Sequence, residues 1–191
     1  MKALQTVGVR RGIRHVLWTA AYAFVYPLLF VPPLRALGLR LAGATIGPHA
    51  VVMNLRLFNL DRGGLRGLRV GRDCFIGDEC LFDMAAAITL GDHVTLAERV
   101  IVLTHTNVGY PDHPLQAEFP PSIAPVTILD GCYIGAGAII LPGVTIGPGT
   151  AIGAGAVVTR DIEGGVVAAG APARVTRALG REVSRSASPQ R

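Results

Sequence analysis

The sequence predicts an all-β fold, a three-sided parallel β-helix. Two observations carry that prediction: a six-residue repeat that keeps its phase, and a composition suited to a layered aliphatic core. From Ile128 to Glu163 the chain divides into hexads that open at Ile128, Ile134, Ile140, Ile146, Ile152 and Val158. Neither the helical period of 3.6 nor the strand period of two generates a repeat of six. Short strands stacked coil on coil do generate one. The opener points inward and stacks on its equivalents ~4.8 Å above and below. The fifth place also points inward, near a corner where room is short, and holds Cys132, Ala138, Val144, Thr150, Ala156 and Ile162. Gly135, Gly147 and Gly153 follow openers, at corners where freedom in φ or the lack of a side chain helps. No unit buries its apolar face alone, so many must stack.

The 191 residues allow one domain and an appendage. Half of them are hydrophobic and only 6% aromatic, which fits layers of Ile, Val and Ala rather than a core built on large rings. The net charge of +5 comes almost wholly from Arg; it marks a solvated basic surface or an attraction to anionic lipid or a phosphorylated ligand. No nucleic-acid partner is indicated. Three cysteines are too few for a disulfide framework. Cys74, Cys80 and Cys132 each take the fifth place of a hexad, so they read as buried spacers, and free thiols suit a reducing cytoplasm.

Along the chain, residues 1–41 form a basic and apolar helical segment. Lys2, Arg10, Arg11 and Arg14 precede an apolar run from His15 to Leu34 with Trp18, Tyr22, Phe24, Tyr26 and Phe30. The run is long enough to span a bilayer, but Pro27, Pro32 and Pro33 would kink or end a continuous helix. A helix or broken hairpin lying in the membrane interface is the preferred reading, with residues 10–40 against the inner face of the cell membrane. Packing on the coil or on a neighbouring subunit is the alternative. The β-helix domain is expected over 42–176, with a first hexad at Ile46, ragged phase over 52–69, and regular hexads from Val70, Ile76, Leu90 and Leu96. The phase slips by two around Met84 to Ile88. At Val102-Leu103-Thr104-His105 the repeat stops, and residues 106–125, with Pro111, Pro114, Pro120, Pro121 and Pro125, leave the coil as a long loop. Residues 177–191 make a basic tail, disordered from about Gly180.

His105, at the last rung before the loop, is the candidate catalytic residue. By its place in the hexad it should face outward at a corner, where an adjoining loop can wall off a cleft. An imidazole titrating near 6.5 suits removal of a hydroxyl proton at neutral pH. His113 in the loop is the second candidate, while His49 and His93 occupy fourth places and read as surface residues. No Ser, Cys or Lys is set up as a covalent nucleophile, and no Gly-rich turn joins a strand to a helix.

The stretches Leu141-Pro142-Gly143-Val144-Thr145-Ile146-Gly147, Ile152 to Ile162 and Ala169-Gly170-Ala171-Pro172-Ala173-Arg174-Val175 resemble the left-handed β-helix hexapeptide acyltransferases. Among these the chain is most similar to the maltose, galactoside and nodulation-type sugar O-acetyltransferases and those of exopolysaccharide pathways. The resemblance is specific over roughly 70–179. It implies a left-handed coil, against the usual crossover rule, a homotrimer with active sites between subunits, acetyl-CoA as donor, and His105 as general base. It places Tyr133, Ala136, Ala154 and Thr159 along the pantetheine, with Arg160, Arg174 and Arg177 near the CoA phosphates. Tyr133 stands where Trp is common and Arg160 where Lys is common. Asp83 falls about where relatives carry an acceptor-contacting Asn; with His113 it is a candidate substrate-binding residue, or it orients His105 from the neighbouring subunit, or it is a plain corner Asp.

The implied function is transfer of an acetyl group from acetyl-CoA to a sugar hydroxyl, that of a surface or exopolysaccharide precursor, without a metal, in the cytoplasm or on the inner membrane face. Two alternatives share the coil. One is a zinc hydratase of the gamma carbonic anhydrase type, which needs three His ligands, nominally His93, His105 and His113. The other is a non-catalytic, membrane-attached trimeric scaffold.

Overall fold

The computed structural model describes residues 9–180. Residues 1–8, with Lys2, and residues 181–191 of the tail expected over 177–191 lie outside the described residues.

Three parallel sheets form the sides of one coil, each with its strands stacked in chain order. The first sheet stacks Thr45–Ile46, Leu68–Val70, Ile88–Leu90, Val126–Ile128 and Thr145–Ile146. The second stacks Val51–Val52, Phe75–Ile76, Thr95–Leu96, Tyr133–Ile134, Ala151–Ile152 and Val166–Ala169. The third stacks Arg56–Phe58, Leu81–Asp83, Ile101–Val102, Ile139–Ile140 and Val157–Val158. Arg174–Ala178 closes the second sheet, running antiparallel to Val166–Ala169 and past the expected boundary at 176.

The register explains the repeat. Ile128 pairs with Ile146, Ile134 with Ile152 and Ile140 with Val158, so equivalent openers stack directly in the interior. Openers and fifth places alike are buried, including all three cysteines. Each thiol points at a carbonyl of the next coil: Cys74 Sγ at Gly91 O (3.0 Å), Cys80 Sγ at Ala97 O (3.2 Å) and Cys132 Sγ at Gly147 O (3.1 Å). Burial pushes the thiols of Cys80 and Cys132 up to about 11, so they stay protonated.

Two kinds of glycine share the corners. A Cβ on Gly135 would lie 2.5 Å from the backbone N of Ala154, so there the need is space rather than φ. The left-handed conformation sits at the fourth place instead, as at Gly137 (φ +68°).

The stretch over 52–69, without periodicity in the sequence, still supplies a full side of the coil, because Arg56–Phe58 pairs in register with Leu81–Asp83. The excursion after it is a short helical turn, Leu60–Gly63. N-terminal to the coil, helix α1 (Val9–Val25) runs into a tight turn at Tyr26–Leu28, and helix α2 (Pro32–Leu41) follows. Two prolines at the start of α2 cost no helical hydrogen bond. Ala36 and Leu39 of α2 are buried, and Trp18 of α1 packs on the core. Among the described residues no helix is long and apolar enough to cross a membrane.

Candidate active site

The repeat fails at one edge, between the third sheet and the first, and the failure brings four side chains together. Leu103 N–H still bonds Ile140 O (2.9 Å) as the ladder requires. Thr104 then turns inward and is buried. Its N–H donates to Asp83 Oδ2 (3.0 Å) and its hydroxyl to the Asp83 carbonyl (2.6 Å), while Ala86 N–H donates to that hydroxyl (2.9 Å). His105 follows, in a two-residue strand paired antiparallel with Ser122–Ile123, the two feet of the long loop.

Asp83 ends its strand at the two-residue slip and is fully buried. Its Oδ1 accepts from Asn59 Nδ2 (2.7 Å) and Ala85 N–H (3.2 Å), and its Oδ2 makes a short contact with His105 Nδ1. Burial pushes the Asp83 carboxyl up, but hydrogen bonds from Asn59, His105 and Thr104 together outweigh it and hold the group below the usual carboxylate value. An ionised carboxylate only accepts hydrogen bonds, so the proton of neutral His105 belongs on Nδ1 and Nε2 is left with a free lone pair. Phe58 meets the imidazole edge to face, with centroids 6.4 Å apart.

His105 is therefore not a fully outward corner residue. One ring nitrogen faces the buried carboxylate, and the side chain keeps 23% of its surface exposed. It lines an open groove of about 580 Å³ together with Leu103, Asn107, Glu118, Phe119 and Pro120, so the loop does wall off a cleft. The contact with Asp83 is made within one chain rather than across subunits, and the carboxylate is occupied by protein donors. His113 lies elsewhere on the loop, exposed, with its Nδ1 accepting Leu115 N–H (3.1 Å), and does not line this groove. His93 sits at a distant corner, 3.8 Å from Asp73. Among the described residues no three potential metal ligands converge within the chain.

The remaining predicted positions fall on two edges of the coil. Thr159 and Arg160 follow Val157–Val158, which pairs with Ile139–Ile140 and through it with Ile101–Val102. They thus share the His105 edge, two coils or ~10 Å further along. Ala136 and Ala154 stack on the next edge, where Gly155 N–H bonds Ala136 O (2.9 Å). Ala136 borders a second open cavity of about 700 Å³, lined also by Asn54, Asp78, Glu79, Glu98 and Arg99. Tyr133 projects from the second sheet, half exposed, and Arg174 and Arg177 lie on the closing strand. A single chain does not gather these positions into one groove.

Sequence reasoning missed Asn59 and Thr104. Asn59 is 46 residues from His105 in the stretch without periodicity, and its left-handed φ of 57° marks a corner that no hexad announces. Thr104 stands at a third place, which elsewhere faces out.

A hexapeptide coil whose repeat breaks along one edge, with an imidazole at the root of the protruding loop, is the fold and site that this chain presents. Comparison narrows it. Residues 125–160 match the bacterial transferase hexapeptide (six repeats) model and residues 67–102 the hexapeptide repeat of succinyl-transferase. Nodulation protein L of Rhizobium meliloti is 40% identical over 131 residues, which cover 68% of each chain. A maltose O-acetyltransferase structure from Clostridium difficile superposes with a TM-score of 0.67 at 34% identity, covering 78% of this chain and 76% of that one. A galactoside acetyltransferase in complex with coenzyme A gives 0.66 at 26% identity, covering 93% and 86%. The aligned stretch takes in between 53% and 68% of the length of the first curated relatives it matches. The chain belongs to the left-handed β-helix hexapeptide-repeat acyltransferase family.

Proposed function

We propose that the protein is an acetyl-CoA-dependent O-acetyltransferase acting on a sugar hydroxyl, with His105 as general base. The observation that carries the reading is the His105–Asp83 pair at the foot of the loop, with Nε2 left free beside an open groove. His105 Nε2 takes the hydroxyl proton as the oxygen attacks the thioester carbonyl carbon. Asp83 stabilises the imidazolium through Nδ1–H and, with Asn59, fixes its orientation. The C–S bond breaks as the tetrahedral intermediate collapses, and the CoA thiolate takes up the proton from Nε2. Backbone N–H groups at the broken edge would stabilise the oxyanion.

Acetyl-CoA would lie along the coil between subunits of a homotrimer. Thr159 and Arg160 of one chain, and Tyr133, Ala136 and Ala154 of the next, would line the pantetheine, and Arg174 and Arg177 would reach its phosphates. Support comes from the third sheet, whose outward column, beyond Arg56 at its first rung, runs through the apolar Leu81, Ile101, Ile139 and Val157 and suits a neighbouring chain. The named substrates of the relatives, a galactoside and maltose, favour a sugar acceptor. We extend this to a surface or exopolysaccharide precursor met at the inner face of the membrane, which residues 10–40 contact. His113 remains a candidate for acceptor contact from the loop, and in this reading Asp83 acts through His105.

Incubation with radiolabelled acetyl-CoA and candidate glycans tests the reading. Label should appear as an alkali-labile ester on the glycan with the wild type and not with His105→Ala. Transfer undiminished in that variant would remove the imidazole from the mechanism.

A further inference from the structure

We infer that the tip joining α1 to α2 is a docking face for a bilayer rich in anionic phospholipid. This deepens the membrane contact proposed above and rests on it, and it commits to the lipid chemistry and the side chains that meet it.

Charge is the first observation. Residues 1–60 contain seven Lys and Arg and no Asp or Glu, whereas residues 61–191 contain eleven against thirteen. The overall +5 is thus +7 over the first 60 residues, six of these charges within the N-terminal segment 1–41, and −2 over the rest. Such segregation is what an anionic surface selects. It also argues against burial of this segment between copies of the chain, since rotational symmetry would crowd like charges together.

The second observation is how the tip is built. Phe24, Leu28 and Phe30 are 77%, 69% and 73% exposed. An apolar tip enters lipid only if its backbone carbonyls are satisfied internally. Here Arg35 reaches back, donating from Nε to Leu29 O (2.8 Å) and from Nη2 to Phe30 O (3.2 Å), while Leu29 N–H occupies Tyr26 O (3.0 Å). Tyr26 anchors the turn to the coil, its hydroxyl donating to Met53 O (3.3 Å) and accepting Leu55 N–H (2.9 Å). Leu28 on the turn, Phe24 just before it on α1 and Phe30 just after it are displayed by a pre-organised backbone, so little ordering cost remains on insertion. Arg10 and Arg14 are exposed on α1, near enough in the chain to meet phosphates while the tip meets acyl chains. α1 in turn leans on the turn Leu60–Gly63, where His15 Nδ1 lies 3.4 Å from Asp61 Oδ1, and that turn follows Asn59. Docking face and His105 pair are thus joined by one turn of chain.

Sedimentation of the full chain with vesicles tests the docking without acetyl-CoA, so its outcome is independent of the transferase reading. The wild type should bind phosphatidylglycerol vesicles and not phosphatidylcholine vesicles. Combined Phe24→Ser, Leu28→Ser and Phe30→Ser should abolish binding and leave the oligomeric state unchanged. Arg10→Gln with Arg14→Gln should weaken binding to phosphatidylglycerol about 30-fold, at roughly fivefold per basic side chain. Wild-type protein that fails to bind, or a triple-Ser variant that binds as well as the wild type, overturns the inference. So does a triple-Ser variant whose subunits dissociate, since the tip would then be a contact between copies.

Discussion

In the coils after the loop the fourth-place corners are Gly131, Gly137, Gly143, Gly149 and Gly155; in the coils before it the corresponding corners hold His49, Asp73, Glu79, His93 and Arg99. All ten have a left-handed φ, between 54° and 83°. The backbone is the same and the residues differ, so the coil imposes the conformation but does not require glycine for it. Before the loop the corner side chains are used: Arg99 Nε reaches Glu79 Oε2 (2.7 Å) one coil away, and Asn59, at another left-handed corner, holds Asp83. After the loop a Cβ at Gly137, Gly149 or Gly155 would meet nothing within 4 Å. Gly137 and Gly155 leave one edge bare, and Ala136 and Ala154 on the same edge extend that bareness, which suits a long thin ligand laid along it. One half of the coil spends its corners on side-chain contacts and the other keeps them open.

The largest effect expected belongs to the half with side chains. His105→Ala should lower turnover ~10²- to 10⁴-fold, as loss of a general base does, with unchanged far-ultraviolet circular dichroism. Asp83→Asn comes next, because with its oxygen kept by Asn59 and Ala85 the amide turns an N–H toward His105 and no longer fixes its tautomer, and kcat should fall further than KM rises. The same variant has a stability signature. The folded-state pKa of Asp83 lies below its unfolded value, so the wild type gains stability above about pH 4 and loses it as the pH falls through the folded pKa. The difference in urea midpoint between wild type and Asp83→Asn should therefore shrink between pH 6 and pH 2. A constant difference would mean that the carboxylate is not held ionised by its partners.

Asn59 divides the comparison within one residue. Asn59→Gly keeps the left-handed corner and removes only the Nδ2 donor; Asn59→Ala removes the donor and strains the backbone as well. With the donor gone the Asp83 pKa rises, so the acid loss of stability should begin at higher pH in both variants. Only Asn59→Ala should also lose stability through the backbone, by about 1 kcal/mol relative to Asn59→Gly, read as a difference in urea midpoint.

How much of this was legible depended on whether a residue obeys the repeat. The ladder from Ile128 to Ile162 could be read residue by residue, because stacking at a fixed spacing makes every opener do the same job. The same reading located His105, since the interruption of a strict period is itself a signal. It also set the three cysteines inside. What stayed hidden was the partner set. Asp83 sits at the slip, where the phase gives no inward or outward assignment, so the sequence leaves open a contact with the acceptor, with His105 of another subunit, or a plain corner. Asn59 and Thr104 meet it only because Arg56–Phe58 pairs with Leu81–Asp83 without any hexad in its own sequence. Coincidence of three chain segments at a failed corner is tertiary information.

The smallest effects test whether the corners are interchangeable. Gly147→Ala sets the scale, since its Cβ would lie 2.3 Å from Gly164 N and packed backbone yields at a cost of about 1–3 kcal/mol. Gly137→Ala meets no atom, so the left-handed penalty of about 1–2 kcal/mol is offset only by the roughly 0.5–1 kcal/mol gained as the unfolded chain loses freedom, a net loss of about 1 kcal/mol. The reverse exchange before the loop, Glu79→Gly, relieves that penalty but gives the unfolded chain more freedom, worth about 0.5–1 kcal/mol in the opposite sense. It also removes the exposed pair with Arg99, which solvent screens to little. The terms oppose one another, so the urea midpoint should move by no more than about 0.5 kcal/mol in equivalent stability. A larger loss for Glu79→Gly than for Gly137→Ala would show that the side chains before the loop are structural staples rather than residues tolerated at a corner the coil already dictates.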